Sequence, residues 1–151
     1  MNRRAKLAVI IATGVCGCVC DEDIRAQVIT ETAPITVGST EIVMEVARTS
    51  TQRERGLRYR QCGEPAMALV LESPAPLPVW QCEAAIELDI VFVRAGTVVD
   101  VVTGAAPCAA PCDRCPTYGE GIEVDAVLEF AAGRLPEMDL RPGTSVRGLG
   151  L

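Results

Sequence analysis

Three cysteines, Cys108, Cys112 and Cys115, lie close together in a segment that also carries three prolines, PCAAPCDRCPTYG (residues 107–119). Thiols at this spacing could bind a metal ion, form a redox-active CxxC pair through Cys112 and Cys115, or form structural disulfides. A zinc site needs a fourth ligand, and the chain has no histidine to supply one. The residues after Cys115, PTYG, do not open a helix, which is where reactive CxxC thiols gain acidity. We therefore expect no metal and favour structural disulfides, with an exported thiol–disulfide oxidoreductase using Cys112 and Cys115 as the alternative.

The first residues have the pattern of an export signal. A basic segment precedes a short apolar stretch at residues 7–15, which is too short to span a bilayer and is typical of a signal peptide. Residues 15–18, VCGC, resemble a bacterial lipobox in which Cys18 is cleaved and lipidated. The pattern predicts a signal peptide at residues 1–17 and an exported cell-envelope lipoprotein, periplasmic or on the outer surface. Its membrane contact would be the lipid anchor alone. An ordinary cleaved signal peptide is the alternative.

Cleavage before Cys18 would leave a strongly acidic chain. The whole chain has 14 Lys+Arg and 20 Asp+Glu residues; the signal segment removes three basic residues and no acidic ones, so 11 remain against 20, a net charge of −9. Nucleic-acid binding through bulk electrostatics needs a basic surface, so we expect no nucleic-acid partner. The chain has no histidine and its single lysine, Lys6, lies in the signal segment. We therefore expect a non-catalytic protein that uses no cofactor.

Export also changes what the remaining cysteines are expected to do. Thiols outside the cytoplasm are generally oxidised to disulfides. If Cys18 is lipidated, six cysteines remain in the mature chain. Six cysteines allow 15 pairings, and the residues alone do not choose among them.

The periodicity of the chain predicts a mostly β domain. Residues 18–33 are polar and are expected to tether this domain to the anchor. In residues 41–47, apolar Ile42, Met44 and Val46 alternate with their neighbours, as in a half-buried strand. Residues 49–60 are the one helix candidate, with Thr51 and Glu54 at capping-box spacing. Gly56 is expected to keep this helix short or to end it. Further strands are predicted within residues 67–72, 87–94, 96–102, 124–133 and 141–149. Short strands with frequent turns and one short helix predict a compact, barrel-like α+β domain over residues 34–151.

From about Ile42 onward, the order of motifs resembles a widespread and largely uncharacterised prokaryotic family, the domain of unknown function 192. The matching motifs are RxxGLxYR (Arg53, Gly56, Leu57, Tyr59, Arg60), Trp80, LDIVF (Leu88–Phe92), GxVV (Gly96–Val99), PC…CPTY (Pro107, Cys108, Cys115–Tyr118), VLE…G (Val127–Glu129, Gly133) and Gly143. Members are usually exported or lipid-anchored. The resemblance therefore implies a compact β-rich domain with a short helix in the cell envelope.

The chain departs from the family pattern around Trp80. The family usually has Phe-Trp-Met-Lys-Asn-Thr, whereas this chain has VWQCEA at residues 79–84. If the Lys, Asn and Thr form a polar site in the family, this chain has lost or rebuilt it.

The resemblance also bears on the disulfides. Cys62 and Cys82 stand where the family is not normally cysteine, and their joint appearance implies a bridge between them. The family-like PC…CP frame implies a Cys108–Cys115 bridge. Cys112 would then pair with Cys20 or stay a free thiol.

A candidate ligand site follows from the arginines. Five of the 11 arginines that remain after cleavage lie between residues 48 and 60. If the helix continues to residue 60, Arg53 and Arg60 share one stripe with Leu57. Partly covered guanidinium groups need carboxylate partners, and Asp89 and Glu129 are the candidates because both lie in family-like strand motifs.

Two interpretations of this cluster remain open. Arg53, Arg60, Trp80, Asp89 and Glu129 could form a binding site for a small anionic or saccharide ligand, or for an envelope protein. Alternatively, the charged residues form a structural ion-pair network and Trp80 belongs to the core. A scaffold protein with no pocket is a third possibility. For the arginines and for Trp80 taken alone, the sequence favours the structural interpretation. For the protein as a whole, a non-catalytic binding module is the first hypothesis.

Overall fold

The computed structural model describes residues 23–109 and 111–150. The predicted signal peptide and the candidate lipidation residue Cys18 lie outside these residues. The described chain forms nine strands, two short α-helices and a 3₁₀ turn, and the mostly β fold predicted from the sequence is confirmed, with one more helix than expected. The elements are β1 (Thr32–Val37), β2 (Thr40–Ala47), α1 (Ser50–Arg55), β3 (Ala66–Pro76), β4 (Val79–Trp80), β5 (Leu88–Arg94), β6 (Thr97–Ala105), the 3₁₀ turn (Cys112–Arg114), β7 (Thr117–Tyr118), β8 (Glu123–Ala131), α2 (Arg134–Met138) and β9 (Val146–Arg147).

Seven strands form one sheet in the order β6-β5-β8-β3-β2-β1-β9, and β4 pairs with β7 in a separate two-stranded ladder. All neighbours in the large sheet are antiparallel except β2 and β3, which are parallel. Parallel strands cannot be joined by a tight hairpin. Helix α1 and the residues after it provide the crossover, and this places α1 beside β3.

The sheet curls until its two ends meet, which gives the domain the barrel-like form predicted from the sequence. The Val98 N–H donates to the Thr144 carbonyl and the Gly143 N–H donates to the Val98 carbonyl, each at 2.8 Å. The Val146 N–H donates to the Gly96 carbonyl, also at 2.8 Å. These bonds join the start of β6 to the chain around β9 and leave little unpaired edge there.

Apolar side chains form two clusters, one on each face of the sheet. The inner cluster draws on all seven strands of the curled sheet and includes Met44, Val91 and Phe130. The outer cluster includes Met67, Ile90 and Leu57, and is covered by α1 and by the β4–β7 ladder. Because β5 and β8 lie in the middle of the sheet and are covered on both faces, nearly all their residues are buried.

Helix α1 ends at Gly56, as expected from the glycine, but it begins with a different cap. Thr49 is the N-cap and forms a capping box with Gln52, so the predicted Thr51–Glu54 box is wrong. The helix ends at Gly56, whose positive φ of 47° is accessible to glycine. Arg60 therefore lies beyond the helix, and the predicted stripe from Arg53 to Arg60 does not exist.

Two segments contain more structure than the sequence predicts. Strand β3 continues to Pro76, with a register shift between Val70 and Ala75 that accommodates its prolines. Strand β1 contains Pro34, which argues against a central strand; it is tolerated because β9 pairs only with Thr36 and Val37.

The segment expected to be a tether packs against the domain over part of its described length. Gln27 and Ile29 are buried, at 8% and 6% exposure. The Gln27 side-chain amide donates to the Gln52 carbonyl at 2.9 Å and to the Gly56 carbonyl at 2.7 Å. These bonds fix the last turn of α1.

The disulfides differ in part from the expected pairing. Cys108 bonds to Cys115, as the family resemblance implies, but Cys82 bonds to Cys112. The Cys62–Cys82 bridge is therefore wrong; Cys62 is disulfide-bonded, but to none of these four cysteines. The reason is a local pairing of two segments, in which the Cys108 N–H donates to the Gln81 carbonyl at 2.9 Å. This pairing brings Cys82 and Cys112 to a Cα–Cα distance of 5.3 Å, within disulfide reach.

Candidate functional site

A pocket of about 270 Å³ opens on the outer face of the sheet, between α1, strand β3 and the segment that contains β4. Most of its walls are apolar. The side chains that form them include Leu57, Leu69, Leu71, Leu77, Pro78, Val79, Ala84 and Leu88. Glu129 also lines the pocket.

Strand register determines where the Glu129 side chain points. Glu129 lies in β8 and is aligned with Met67 of β3 and with Ile90 of β5. Directly paired residues point to the same face of a sheet, so Glu129 faces the outer cluster together with these two apolar residues. Its side chain is consequently buried, with the residue only 3% exposed.

The end of α1 covers Glu129 closely. A Cβ atom at Gly56 would lie 3.1 Å from the Oε2 atom of Glu129, closer than side-chain carbons normally approach. Glycine at this position therefore serves two purposes. It ends the helix with a positive φ, and it lets the backbone approach the carboxyl group.

The carboxyl group of Glu129 is only partly satisfied. The Leu57 backbone N–H donates a hydrogen bond to it, but the Oε2 atom is buried without a hydrogen-bond partner among the described residues. Burial raises the pKa of Glu129 from 4.5 to about 7, and the Leu57 hydrogen bond opposes this shift. Near neutral pH, the protonated and ionised forms are therefore both well populated.

The pocket mouth carries charged and aromatic side chains. Arg53 donates to the Arg48 carbonyl and, at 3.0 Å, to the Val70 carbonyl, which ties α1 to β3. The Arg58 guanidinium lies 3.7 Å from the Glu83 carboxylate. Trp80 is 38% exposed at the mouth. Its strand, β4, is held through the pairing of Trp80 with Thr117 of β7.

The structure brings together three of the five predicted site residues. Arg53, Trp80 and Glu129 all line the pocket. Arg60 lies outside it, and its Nη2 atom donates to the Glu45 carboxylate at 2.8 and 2.9 Å and to the Gln27 carbonyl at 2.9 Å. Arg60 is therefore part of a structural ion pair.

Asp89 also lies outside the pocket. It is aligned with Phe130 of β8, so it points to the inner face rather than the outer one. Its carboxylate accepts hydrogen bonds from the backbone N–H groups of Gly104, Gly133 and Leu135, at 2.9 to 3.1 Å. Asp89 thus fixes the chain at the start of α2. Neither Asp89 nor Glu129 pairs with Arg53 or Arg60, so the expected arginine–carboxylate partnership is wrong.

Other residues that line the pocket are not predicted from the sequence. Arg58 and the wall residues Leu71, Leu77 and Val79 belong to this group. One signal was available, because the RxxGLxYR motif holds Gly56 and Leu57 next to Arg53. The apolar walls come from segments far apart in sequence, and only the fold brings these together.

The cysteines do not form a redox pair of the predicted kind. Cys112 and Cys115 are bonded to different partners, so the CxxC has no internal disulfide. No group of three or more His, Cys, Asp or Glu residues within 23–109 and 111–150 is arranged to hold a metal ion. Within the same residues, no helix is both long enough and apolar enough to cross a bilayer.

The fold and the site together define a small, disulfide-linked β domain with a ligand-sized pocket on the outer face of its sheet. The family model described as uncharacterised ACR, the domain of unknown function 192, matches residues 33–148. The chain belongs to this family.

Two solved structures are similar to the chain. A protein described as a candidate transcription regulator from Sinorhizobium meliloti 1021 is 26% identical, with a TM-score of 0.70, over 83% of this chain and 99% of that one. A protein of unknown function from Novosphingobium aromaticivorans DSM 12444 is 28% identical, with a TM-score of 0.66, over 77% of this chain and 84% of that one. No curated protein matches the chain in sequence.

Proposed function

We propose that this protein is an exported, disulfide-linked binding module of the cell envelope, which holds a small ligand in the pocket at Glu129. The observation that carries the proposal is an apolar pocket in which a buried carboxyl oxygen has no partner among the described residues. A buried polar atom without a hydrogen bond costs free energy. A ligand that supplies the missing contact would recover this cost.

The composition of the walls favours a ligand with an apolar body over a saccharide. A sugar presents hydroxyl groups on most sides and needs several hydrogen-bonding side chains around it. The walls here are mainly leucine, valine and proline, with polar groups at the mouth and at Glu129. Small-molecule sites generally combine apolar walls with a few placed polar groups.

Export and lipid anchoring belong to the same proposal. The basic and apolar pattern at the start of the chain supports export, and the VCGC segment supports lipidation of Cys18. The disulfides Cys82–Cys112 and Cys108–Cys115 suit an oxidising compartment. Cys112 and Cys115 are each bonded to a different partner, which argues against thiol–disulfide exchange through the CxxC.

Trp80 provides a direct test of binding. It is the single tryptophan of the chain and lines the mouth of the pocket, so its fluorescence reports on occupancy. We would titrate the protein with four aromatic probes: 2-phenylethylamine, 2-phenylethanol, phenylacetate and propylbenzene. We expect a saturable change in Trp80 fluorescence with at least one probe, and a rise in melting temperature with the same probe.

A pocket-filling variant is the control. Ala84 lines the pocket, so Ala84→Leu should abolish the saturable response. Ala106 is exposed and is not among the pocket-lining residues, so Ala106→Leu should leave the response unchanged. If no probe saturates, or if Ala84→Leu binds as well as the wild type, this pocket is not a ligand site.

A further inference from the structure

We propose that the ligand class of this pocket is a primary amine with an apolar body, whose ammonium group pairs with Glu129. This inference rests on the binding function proposed above and adds the chemistry of the ligand. It is carried by the geometry of the site, in which a carboxyl group 3% exposed has one oxygen without a partner among the described residues.

The chemistry of the free oxygen selects the head group of the ligand. An ionised carboxylate only accepts hydrogen bonds, so it is satisfied by a donor. An ammonium group supplies both the donor and an opposite charge, and charge-assisted hydrogen bonds are roughly twice as strong as neutral ones. A hydroxyl supplies the donor alone, and a second carboxylate would be repelled.

The described residues around Glu129 do not supply a hydrogen-bond donor to its Oε2 atom, so a ligand would have to supply it. The charged groups that line the pocket are Arg53, Glu54 and Arg55 of α1, and Arg58 just after it, while the lining residues from β3, the β4 segment and β5 carry no charge. Arg53 donates to backbone carbonyls, and Arg58 lies beside the Glu83 carboxylate. Both guanidinium groups are therefore engaged by partners other than Glu129.

The volume of the pocket limits the body of the ligand. A cavity of about 150 Å³ holds one benzene molecule, so a pocket of 270 Å³ holds roughly ten to twelve non-hydrogen atoms. An arylalkyl or branched alkyl amine has this size, and its hydrocarbon part would contact Leu69, Leu71 and Leu77.

The probe series named above separates the ligand classes, because its members have similar size and differ at the head group. At pH 8 we expect 2-phenylethylamine to bind at least about tenfold more tightly than 2-phenylethanol or propylbenzene, and phenylacetate to bind least. Between pH 6 and pH 8 the dissociation constant of the amine should fall about tenfold, since Glu129 ionises over this range while the amine stays protonated.

Two matched variants assign the effect to Glu129. Glu129→Gln keeps the shape of the side chain and should remove both the preference for the amine and its pH dependence. Glu72→Gln removes an exposed carboxylate that does not line the pocket and should preserve both.

The possible failures are distinguishable. If no probe binds, the proposed binding function itself fails. If propylbenzene, 2-phenylethanol or phenylacetate binds as well as the amine, the pocket binds ligands but the amine assignment is wrong. The assignment is equally overturned if Glu129→Gln retains the amine preference.

Discussion

Glu129 and Asp89 are both buried carboxyl groups on central strands, and their hydrogen bonds give them different roles. Asp89 accepts three backbone N–H groups and is satisfied. Glu129 keeps one oxygen without a partner among the described residues and lies in a pocket. An unsatisfied buried group is the costlier arrangement, so Glu129 is the better candidate for function.

The sequence identifies both residues as site candidates but cannot separate them. Within a strand, alternation tells which residues share a face. The relative register of β5 and β8 comes from pairing over a long sequence distance, and it aligns Glu129 with Ile90 rather than with Asp89. A shift of one residue would have placed both carboxyl groups on the same face.

The raised pKa of Glu129 predicts how stability depends on pH. Because the folded-state pKa is about 7 and the unfolded value is near 4.5, the folded protein binds the proton more tightly. The free energy of unfolding should therefore fall as pH rises from about 4.5 to 7, by about 3 kcal/mol from this group alone. Chemical denaturation of the wild type and of Glu129→Gln at several pH values measures this loss as a change in their stability difference. Parallel pH profiles for the two proteins would contradict it.

Asp89 should behave as a structural residue. Asp89→Ala leaves three backbone N–H groups without their acceptor, and we expect it to cost about 3 kcal/mol or more of stability. Asp100→Ala is the control, since Asp100 accepts a hydrogen bond from the neighbouring Val101 N–H, and it should cost about 0.5 kcal/mol. Equal melting temperatures for the two variants would show that Asp89 does not fix the start of α2.

At the scale of elements, the disulfides connect the cysteine-rich loop to a wall of the pocket. Cys82 lines the pocket and is bonded to Cys112, whereas Cys108 and Cys115 close the loop on itself. This disulfide connectivity cannot be predicted from the sequence alone. Cys82 and Cys112 are brought together by the backbone pairing of Cys108 with the Gln81–Glu83 segment.

The two bridges should contribute unequally to stability. The Cys82–Cys112 bridge spans 30 residues and the Cys108–Cys115 bridge spans 7. On a loop-entropy estimate, replacing Cys82 and Cys112 together by alanine costs about 3 to 4 kcal/mol, and replacing Cys108 and Cys115 together costs about 2 kcal/mol. Denaturant unfolding of the two double variants measures this difference, and peptide mapping of the oxidised protein checks the pairing. Recovery of a Cys112–Cys115 peptide would contradict the structure.

The elements that the sequence predicts well are those with clear local patterns. In β2, Met44 and Val46 are buried and Ile42 is partly buried, as the alternation indicates. Predictions from local patterns fail where tertiary contacts determine the local structure. Pro34 lies in strand β1 because the neighbouring strand β9 pairs only with Thr36 and Val37. The predicted stripe from Arg53 to Arg60 does not form, because Arg60 lies beyond the helix and pairs with Glu45.

At the scale of the whole molecule, frequent turns and short strands are sufficient to predict a β-rich, barrel-like domain. The parallel pairing of β2 with β3 is not visible in the sequence, yet it creates the site, because its crossover carries α1 over the outer face. The family motifs around Arg53 and Gly56 therefore mark the crossover as well as the pocket.

Lipid anchoring is a prediction about the whole molecule and has its own test. If Cys18 is the lipidated residue, a Cys18→Ser variant should lose lipid labelling and move from the membrane fraction to the soluble fraction of the envelope. Replacement of Cys16, which precedes it in the VCGC segment, should leave the protein in the membrane fraction. Membrane retention of the Cys18→Ser protein would contradict the lipoprotein proposal.

Glu129 is a buried carboxyl group with one oxygen that has no hydrogen-bond partner among the described residues. We propose that a ligand supplies this missing hydrogen bond. The most direct measurement is an NMR titration of the Glu129 side-chain carboxyl carbon, assigned with Glu129→Gln, in the free protein and with saturating 2-phenylethylamine. We predict a titration midpoint at pH about 7 in the free protein, and a lower midpoint with the amine, since an ammonium partner favours the ionised form. A midpoint near that of an exposed glutamate, unchanged by the amine, would contradict the account.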